Sequence, residues 1–375
     1  MQYSAKRKYV LLIDIEYAIS ILSGIHFGRG VLLMLGNMHG TNHHYNSSII
    51  EVRELSKHFG KLKAVDQITF EVKEREIFGF LGPNGAGKTT TINMLTTLLP
   101  PTSGEARVCG FDIKREAKEV RKRIGVVPQE YTADEDLTGM QNIMLCGELY
   151  GINRGELEKR AKELLRLVDL ADAADRKVSS YSGGMRRRLE LASGLVNNPR
   201  LLFLDEPTLG LDVQTRTAVW EYIRQLKEEY NMTLFVTTHY LEEADSLCDR
   251  IAIIDHGKIV KVGSPTELKS GLGGDVIQLT VDNSSDLTDE ISKIEFVKEV
   301  KKVDSSYRIK AEKGEEAAPL IIELIRSKGL HVTRISVTKP TLDEVYLEYT
   351  GRAFRDDEDP SRVWAQRMTM RRARA

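Results

Sequence analysis

Short apolar runs alternate along this chain with longer stretches that place an apolar residue every three or four positions. Residues 49–55 (IIEVREL) and 64–72 read as strands, and 76–81 (EIFGFL) as a short strand buried on both faces. Helical spacing follows at 89–99, then a strand at 124–128 that ends at Gln129. From 137 to 175 the spacing is mostly helical, with charged outer faces around Glu156 to Arg166. A helix-rich lobe at about 131–180 is thereby set into a strand-rich frame. Residues 186–196 and 213–230 predict helices, and 233–238 a strand. The run 201–206 (LLFLDE) has the form of a fully buried parallel strand ending in two acids.

Beyond Gly263 the pattern changes to strand 275–281, helix 287–294, strands 296–303 and 307–311, helix 315–327 and strand 331–337. The second helix carries Ala318, Ile321, Ile322 and Ile325 on one stripe. This β-α-β-β-α-β order predicts a small ferredoxin-like α+β sandwich. The divisions expected are therefore an extension at 1–47, a main domain at 48–272, an accessory domain at 273–352 and a charged tail at 353–375. The tail is acidic through Asp359 and basic from Arg362 to Arg374, and a solvated, disordered tail is favoured over arginine contacts with anionic lipid.

Between the strand at 76–81 and the helix after it lies Gly82-Pro83-Asn84-Gly85-Ala86-Gly87-Lys88-Thr89-Thr90, which fits G-x-x-x-x-G-K-[ST]. A strand, a glycine-rich turn and a helix start make an anion cradle, because backbone N–H groups and the positive helix end converge there. Glycines let that backbone close around phosphate oxygens where a Cβ would intrude. Lys88 is placed to reach the β- and γ-phosphates of a nucleoside triphosphate, and the Thr89 hydroxyl to bind Mg²⁺.

Other positions gain meaning beside that loop. Asp205, at a strand's carboxyl end, suits a Mg²⁺ partner, and Glu206 suits the residue that polarises attacking water. Ser182-Gly183-Gly184 precedes a helix and could form a second anion-binding start, although on the residues alone a plain helix cap is the favoured reading. Gln129 could touch Mg²⁺ or the water, and His239 a γ-phosphate, yet a lone glutamine or histidine is ordinarily structural. Phe59 could stack on adenine or simply be a core aromatic.

Composition excludes some alternatives. The 375 residues allow two domains, and the net charge of −1 argues against nucleic acid as main partner. Cys109, Cys146 and Cys248 form no C-x-x-C pair and read as buried small residues in a reducing compartment. Lys6, Arg7 and Lys8 precede an apolar run, 9–25, that superficially resembles a signal peptide. Asp14 and Glu16 interrupt it, and it is too short and acidic to span a membrane. Residues 1–37 are expected to be an upstream extension, with natural translation starting at Met38.

The order and spacing of these pieces, over roughly residues 49–262, resemble the ATP-binding subunits of ABC transporters. More narrowly, YSGGMRRRLELA (181–192) and LDEVYLEYTGR (342–352) resemble the daunorubicin-resistance type of drug-exporter ATPase. That resemblance implies an α/β P-loop NTPase fold of ABC type, with an antiparallel β subdomain and an inserted helical lobe. ATP and Mg²⁺ are the implied cofactors. The implied catalytic residues are Glu206, His239, Lys88 and Gln129, and the implied metal residues Thr89, Gln129 and Asp205. Nucleotide contacts fall to Phe59, to Gly82 through Thr90, to Ser182, Gly183 and Gly184, and to Asp212.

The resemblance also implies a head-to-tail dimer in which each ATP lies between one chain's phosphate loop and the other's Ser182 turn. A separate polytopic permease would hold the pair at the inner membrane face and contact the helical lobe and the region around Gln129. Two departures stand out: Tyr181 and Met185 where the wider superfamily commonly has Leu and Gln, and Phe59 where Tyr is often found. Rival readings are a soluble ABC ATPase acting on ribosomes or DNA, and an exporter of a polysaccharide or lipid carrier. One ATPase domain per chain and the lack of sustained heptads count against the first.

Overall fold

The computed structural model describes residues 48–282, 286–303 and 306–351. The expected extension at 1–47 and the charged tail at 353–375 lie outside the described residues. The chain divides into two compact units, Met1–His239 with Ile254–Ile259, and Tyr240–Ile253 with Val260–Ala375.

In the first unit, β1 (Ser48–Phe59) and β2 (Leu62–Lys73) form an antiparallel hairpin closed by Gly60 at φ +59°. β3 (Ile77–Leu81) then runs into the glycine loop and α1 (Lys88–Leu95). β4 (Ser103–Val108) and β5 (Phe111–Asp112) extend the hairpin sheet in the order β2-β1-β4-β5. The spacing argument does not predict β4, because SGEARV alternates burial but has a single β-branched residue, Val108, and no aromatic to mark a strand.

After α2 (Ala117–Arg121) and β6 (Ile124–Val127) the helical lobe follows. Its α3 (Gly139–Leu149) and α4 (Arg154–Leu167) meet where Gly147 faces Leu157: a Cβ there would lie 2.1 Å from Leu157 Cδ1. α5 (Gly183–Gly194) starts three residues before the predicted 186, because it opens on two glycines, which have no side chains to set a helical period. β7 (Leu201–Asp205), α6 (Val213–Tyr230) and β8 (Thr233–Thr238) complete the unit.

Strands β3, β8, β7 and β6 are parallel neighbours in that order. Every residue of β3, β7 and β8 is buried, as expected for strands covered on both faces. Phe70 of β2 packs on Phe78, Phe80 and Phe235 at ring distances of 5.7, 5.5 and 6.1 Å, which joins the antiparallel sheet to the parallel one. Parallel pairing also gathers the carboxyl ends on one edge. The pairs Leu81–Thr238, Asp205–Thr237 and Val127–Leu204 align the glycine loop, the acid pair, His239 and Gln129 along it. At the far end of α5 the backbone approach is closest: a Cβ on Gly125 of β6 would meet the Gly194 carbonyl oxygen at 2.0 Å.

The second unit contains α7 (Leu241–Leu247), and the strands β9 (Arg250–Asp255) and β10 (Lys258–Gly263) pass between the two residue sets. α8 (Pro265–Ser270) begins with a capping box between Ser264 and Glu267. The sandwich comprises β11 (Asp275–Val281), α9 (Thr288–Ile291), β12 (Val297–Val303), β13 (Ser306–Ala311), α10 (Gly314–Ser327) and β14 (Val332–Thr338). Its antiparallel order β12-β13-β11-β14 is the ferredoxin-like arrangement that the pattern predicts. Ile277, Leu279, Tyr307, Ile309, Ile321 and Ile325 form its core. The first helix covers only 288–291 of the expected 287–294. α11 (Leu342–Thr350) closes the unit on a Thr341–Glu344 capping box and Gly351 at φ +73°.

Candidate functional site

The loop after β3 is shaped by backbone that only glycine serves. A Cβ on Gly82 would lie 2.3 Å from the Ile254 carbonyl oxygen, and Gly87 stands at φ +110° with the Ala64 carbonyl 2.6 Å from its would-be Cβ. The loop is pinned from outside, since Gly257 N donates to Ala86 O at 2.9 Å and Asp66 N to Gly257 O at 2.8 Å. Asn84 and Gly85 stand exposed at its crest, Pro83 is half-buried, and Thr90 is buried behind it. Thr138, Asn153, Ser182 and Asp212 cap the starts of α3, α4, α5 and α6 with their side chains, whereas α1 begins at Gly87 without a side-chain cap. Other helices, α2 and α7 among them, also begin without a side-chain cap. Of these, α1 is the one that follows the glycine loop, where uncapped N–H donors suit an external anion.

Lys88, 4% exposed, donates to the loop carbonyls of Gly82 at 2.6 Å and Pro83 at 3.2 Å, and lies 3.0 Å from Glu206 Oε1. Glu206 is 5% exposed and sits at φ +50°, in the left-handed region that a glutamate seldom adopts. Its N–H is anchored on Thr237, 3.1 Å from the carbonyl and 3.0 Å from the hydroxyl. His239 Nδ1 stands 3.0 Å from Glu206 Oε2. Burial pushes the Glu206 carboxyl up, but His239 and Lys88 more than offset this and hold it below the usual glutamate value.

Asp205 differs. Burial raises its carboxyl above the usual aspartate value despite hydrogen bonds from Thr237 Oγ1 and from Thr89 Oγ1 at 3.4 Å. A carboxylate short of positive charge beside an exposed threonine hydroxyl fits Mg²⁺, which takes one or two protein oxygens and completes its shell with water and phosphate. Lys88, Thr89, Asp205, Glu206 and His239 thus form one contact network, and Thr237 is the member that spacing did not reveal.

Ser182 and Asp212 belong to a second group. Ser182 and Gly183 are exposed, and the Ser182 hydroxyl accepts from Met185 N at 3.3 Å. Asp212 accepts from Thr215 N at 3.0 Å and Thr215 Oγ1 at 2.7 Å. A Cβ on Gly184 would lie 2.6 Å from Thr215 Cγ2, so the two helix starts are neighbours. Phe59 lies half-buried at the end of β1 with the Lys57 ammonium 5.2 Å from its ring centre.

Three consecutive arginines leave α5 in three directions, as steps of about 100° require. Arg186 bonds Glu135 and the Ser179 carbonyl, and Arg188 bonds the Val168 carbonyl at 3.0 Å. Arg187, only 1% exposed, donates to the carbonyls of Pro128 at 2.9 Å and Gln129 at 3.0 Å. Gln129 is half-buried just past β6, beside the β7 end that carries Asp205. All three cysteines are buried and free, as composition predicted.

The ABC transporter family profile matches residues 65–209, and the profile described as ATP-binding protein DrrA1-3-like, C-terminal domain, matches 263–350. The linearmycin resistance ATP-binding protein LnrL of Bacillus subtilis is 38% identical over 82% of this chain and 100% of its own length. The daunorubicin/doxorubicin resistance ATP-binding protein DrrA of Streptomyces peucetius is 42% identical over 80% and 92%. The Nod factor export ATP-binding protein I of Cupriavidus metallidurans is 37% identical over 83% and 100%. Among solved structures, the dimeric post-hydrolysis state of the ATP-binding cassette MJ0796 bound to ADP and Pi superposes with a TM-score of 0.52. It is 28% identical and covers 57% of this chain and 98% of its own.

Proposed function

This chain belongs to the ABC transporter ATP-binding subunits of the daunorubicin-resistance type, the ATP-hydrolysing partners in exporters, and from that premise we propose how its residues carry out the work. The observation that carries the proposal is the Lys88–Glu206–His239 network, with the exposed Ser182 turn standing outside it. When ATP enters the loop, Lys88 exchanges its carbonyl and carboxylate partners for β- and γ-phosphate oxygens. Glu206 then loses a neighbouring positive charge, its proton affinity rises, and it becomes a better base for the attacking water. His239, aligned by Glu206, is placed to donate toward the γ-phosphate.

Thr89 and Asp205 would hold Mg²⁺, which screens the phosphate charges when bound, and Gln129 stands on the same strand edge. Phe59 would stack on adenine. Ser182, Gly183, Gly184 and the neighbouring Asp212 loop would complete the site of a second copy, so that ATP joins two chains. The pair would work from the cytoplasmic face on a polytopic permease; among the described residues no helix is long and apolar enough to cross a membrane.

The proposed cargo is a drug-like or lipophilic compound, supported by the relatives whose names give linearmycin and daunorubicin/doxorubicin resistance. A second reading, a cargo other than a drug, is favoured by the relative named for Nod factor export.

Light scattering tests the shared site. Glu206→Gln blocks hydrolysis and should accumulate a dimer with Mg-ATP but not with Mg-ADP. Adding Ser182→Arg should abolish that dimer while ATP still binds the monomer. A monomer under all conditions overturns the shared site.

A further inference from the structure

Two buried charged residues of α5 take no part in the chemistry above, yet both direct their hydrogen bonds to one short segment. The guanidinium of Arg187 reaches two consecutive carbonyls, Pro128 and Gln129. One turn on, the carboxylate of Glu190, 3% exposed, accepts from the N–H of Thr132, from the Thr132 hydroxyl at 2.6 Å and from the N–H of Ala133 at 2.8 Å. Between them Tyr131 lies against the guanidinium, 5.1 Å from ring centre to carbon, and its hydroxyl donates to the Gly183 carbonyl at 3.3 Å. The contacts close a ring: Gly183 to Tyr131, Tyr131 to Arg187, Arg187 to Gln129.

Buried charges are costly unless fully bonded, and apolar residues would pack a helix on a loop without that cost. What a forked cation and a carboxylate add is geometry. A planar fork fixes two carbonyls in direction as well as distance, and a carboxylate fixes the N–H groups that follow. Residues 128–133 are therefore held by donors and acceptors alike, and all of them stand on the helix that begins at the Ser182 turn.

We propose that Arg187 and Glu190 are positioning residues that bolt residues 128–133 to α5, so that the Ser182–Gly184 turn and Gln129 move as one piece. This rests on the shared-site reading above. Gln129 stands on the strand edge that serves the chain's own nucleotide, and the Ser182 turn serves the nucleotide across the dimer. A bolt between them makes each site respond to the other. The coupling is a property of the loop's attachment and leaves phosphate binding by one chain alone untouched.

The test is steady-state ATPase activity against ATP concentration for the full-length chain reconstituted with its permease, beside ATP affinity of the isolated chain. The parent protein should respond sigmoidally. Arg187→Gln and Glu190→Gln should give a hyperbolic response, with the affinity gain that one bound ATP confers on the other site (about 5- to 150-fold for a coupling between sites) lost, kcat lowered, and ATP affinity of the isolated chain unchanged. Arg187→Lys, which keeps the charge but not the fork, should fall between. Thr132→Val and Tyr131→Phe, at half-exposed positions that endanger folding little, should shift the response in the same direction and serve if the core variants do not fold.

Sigmoidal curves and unchanged kcat in these variants overturn the proposal. So does a loss of ATP affinity matching the loss of kcat, which marks a merely structural role. A hyperbolic parent whose Glu206→Gln form still dimerises overturns it too. A hyperbolic parent whose Glu206→Gln form does not dimerise instead locates the failure in the shared-site reading.

Discussion

The ammonium of Lys88 and the carboxylate of Glu206 lie 3.0 Å apart, and neither side chain is more than 5% exposed. The lysine that should grip phosphate is thus paired with the acid that should activate water. A γ-phosphate entering the loop competes with Glu206 for the same cation, which ties the strength of the base to occupancy of the site.

Glu206→Gln removes the proton-accepting charge and frees Lys88 from its competitor. Turnover should fall by about 10²- to 10⁴-fold, as for loss of a general base, while ATP affinity stays level or tightens. Steady-state kinetics and nucleotide titration check both halves, and near-parental turnover would remove Glu206 from the base role.

The same pair makes a stability prediction. Lys88→Met leaves a buried carboxylate facing only His239, and breaking a buried pair on one side costs about 3–5 kcal/mol. Adding Glu206→Gln should recover much of that loss. Urea unfolding of the two single variants and the double variant closes the cycle; independent, additive losses would show that the pair is not coupled.

Gly87→Ala places a Cβ 2.6 Å from the Ala64 carbonyl at a φ of +110°. The loop must shift, so ATP binding should be lost while far-UV circular dichroism is retained. Unaltered ATP affinity would mean that the loop can reshape around the methyl group.

Burial pushes the Cys109 thiol up to about 11, against partial lowering by Arg200 and Arg123, and the Cys146 thiol up to about 12. Cys248, also buried, stands well above its ordinary value. A folded-state thiol pKa this high leaves almost no thiolate at pH 8. None of the three should react with a disulfide reagent in the native protein, and all three should react promptly in denaturant.

Residues 273–352 carry a core of their own. Expressed alone, this segment should unfold in one cooperative transition. Ile321→Ala, at a fully buried position of α10, should cost it about 2–5 kcal/mol. A non-cooperative fragment would show that the sandwich depends on the rest of the chain.

Much of this architecture is written locally. The glycine loop, the apolar runs of β3 and β7 and the Ile321–Ile325 stripe depend on neighbours within one element, so spacing along the chain exposes them. Thr237, Arg187 and Glu190 could not be found that way. Thr237 acts on Asp205 across 32 positions, and Arg187 acts on Gln129 across 58, joined only when parallel strands and α5 pack together. The early start of α5 was hidden for a different reason: Gly183 and Gly184 have no side chains to set a period. The Ser182 hydroxyl that caps them is a clue to the boundary, but it does not reveal which segment the helix will grip.

The contact of Gly125 with Gly194 carries a consequence for how this chain can vary. Where β6 meets α5, bare backbone lies on bare backbone, and a methyl on Gly125 would sit 2.0 Å from a carbonyl oxygen. A neighbouring side chain cannot change rotamer to absorb such an insertion, because the obstacle is main chain. Relief would require β6 and α5 to separate, and Gln129 lies four residues beyond Gly125. Mutational drift at this seam is therefore closed off in a way that drift among the surrounding leucines and valines is not, since a larger side chain there can be matched by a smaller one beside it. Compensating substitutions for changes at Gly125 should be rare, and those that arise should sit in the segments flanking the seam instead of opposite it.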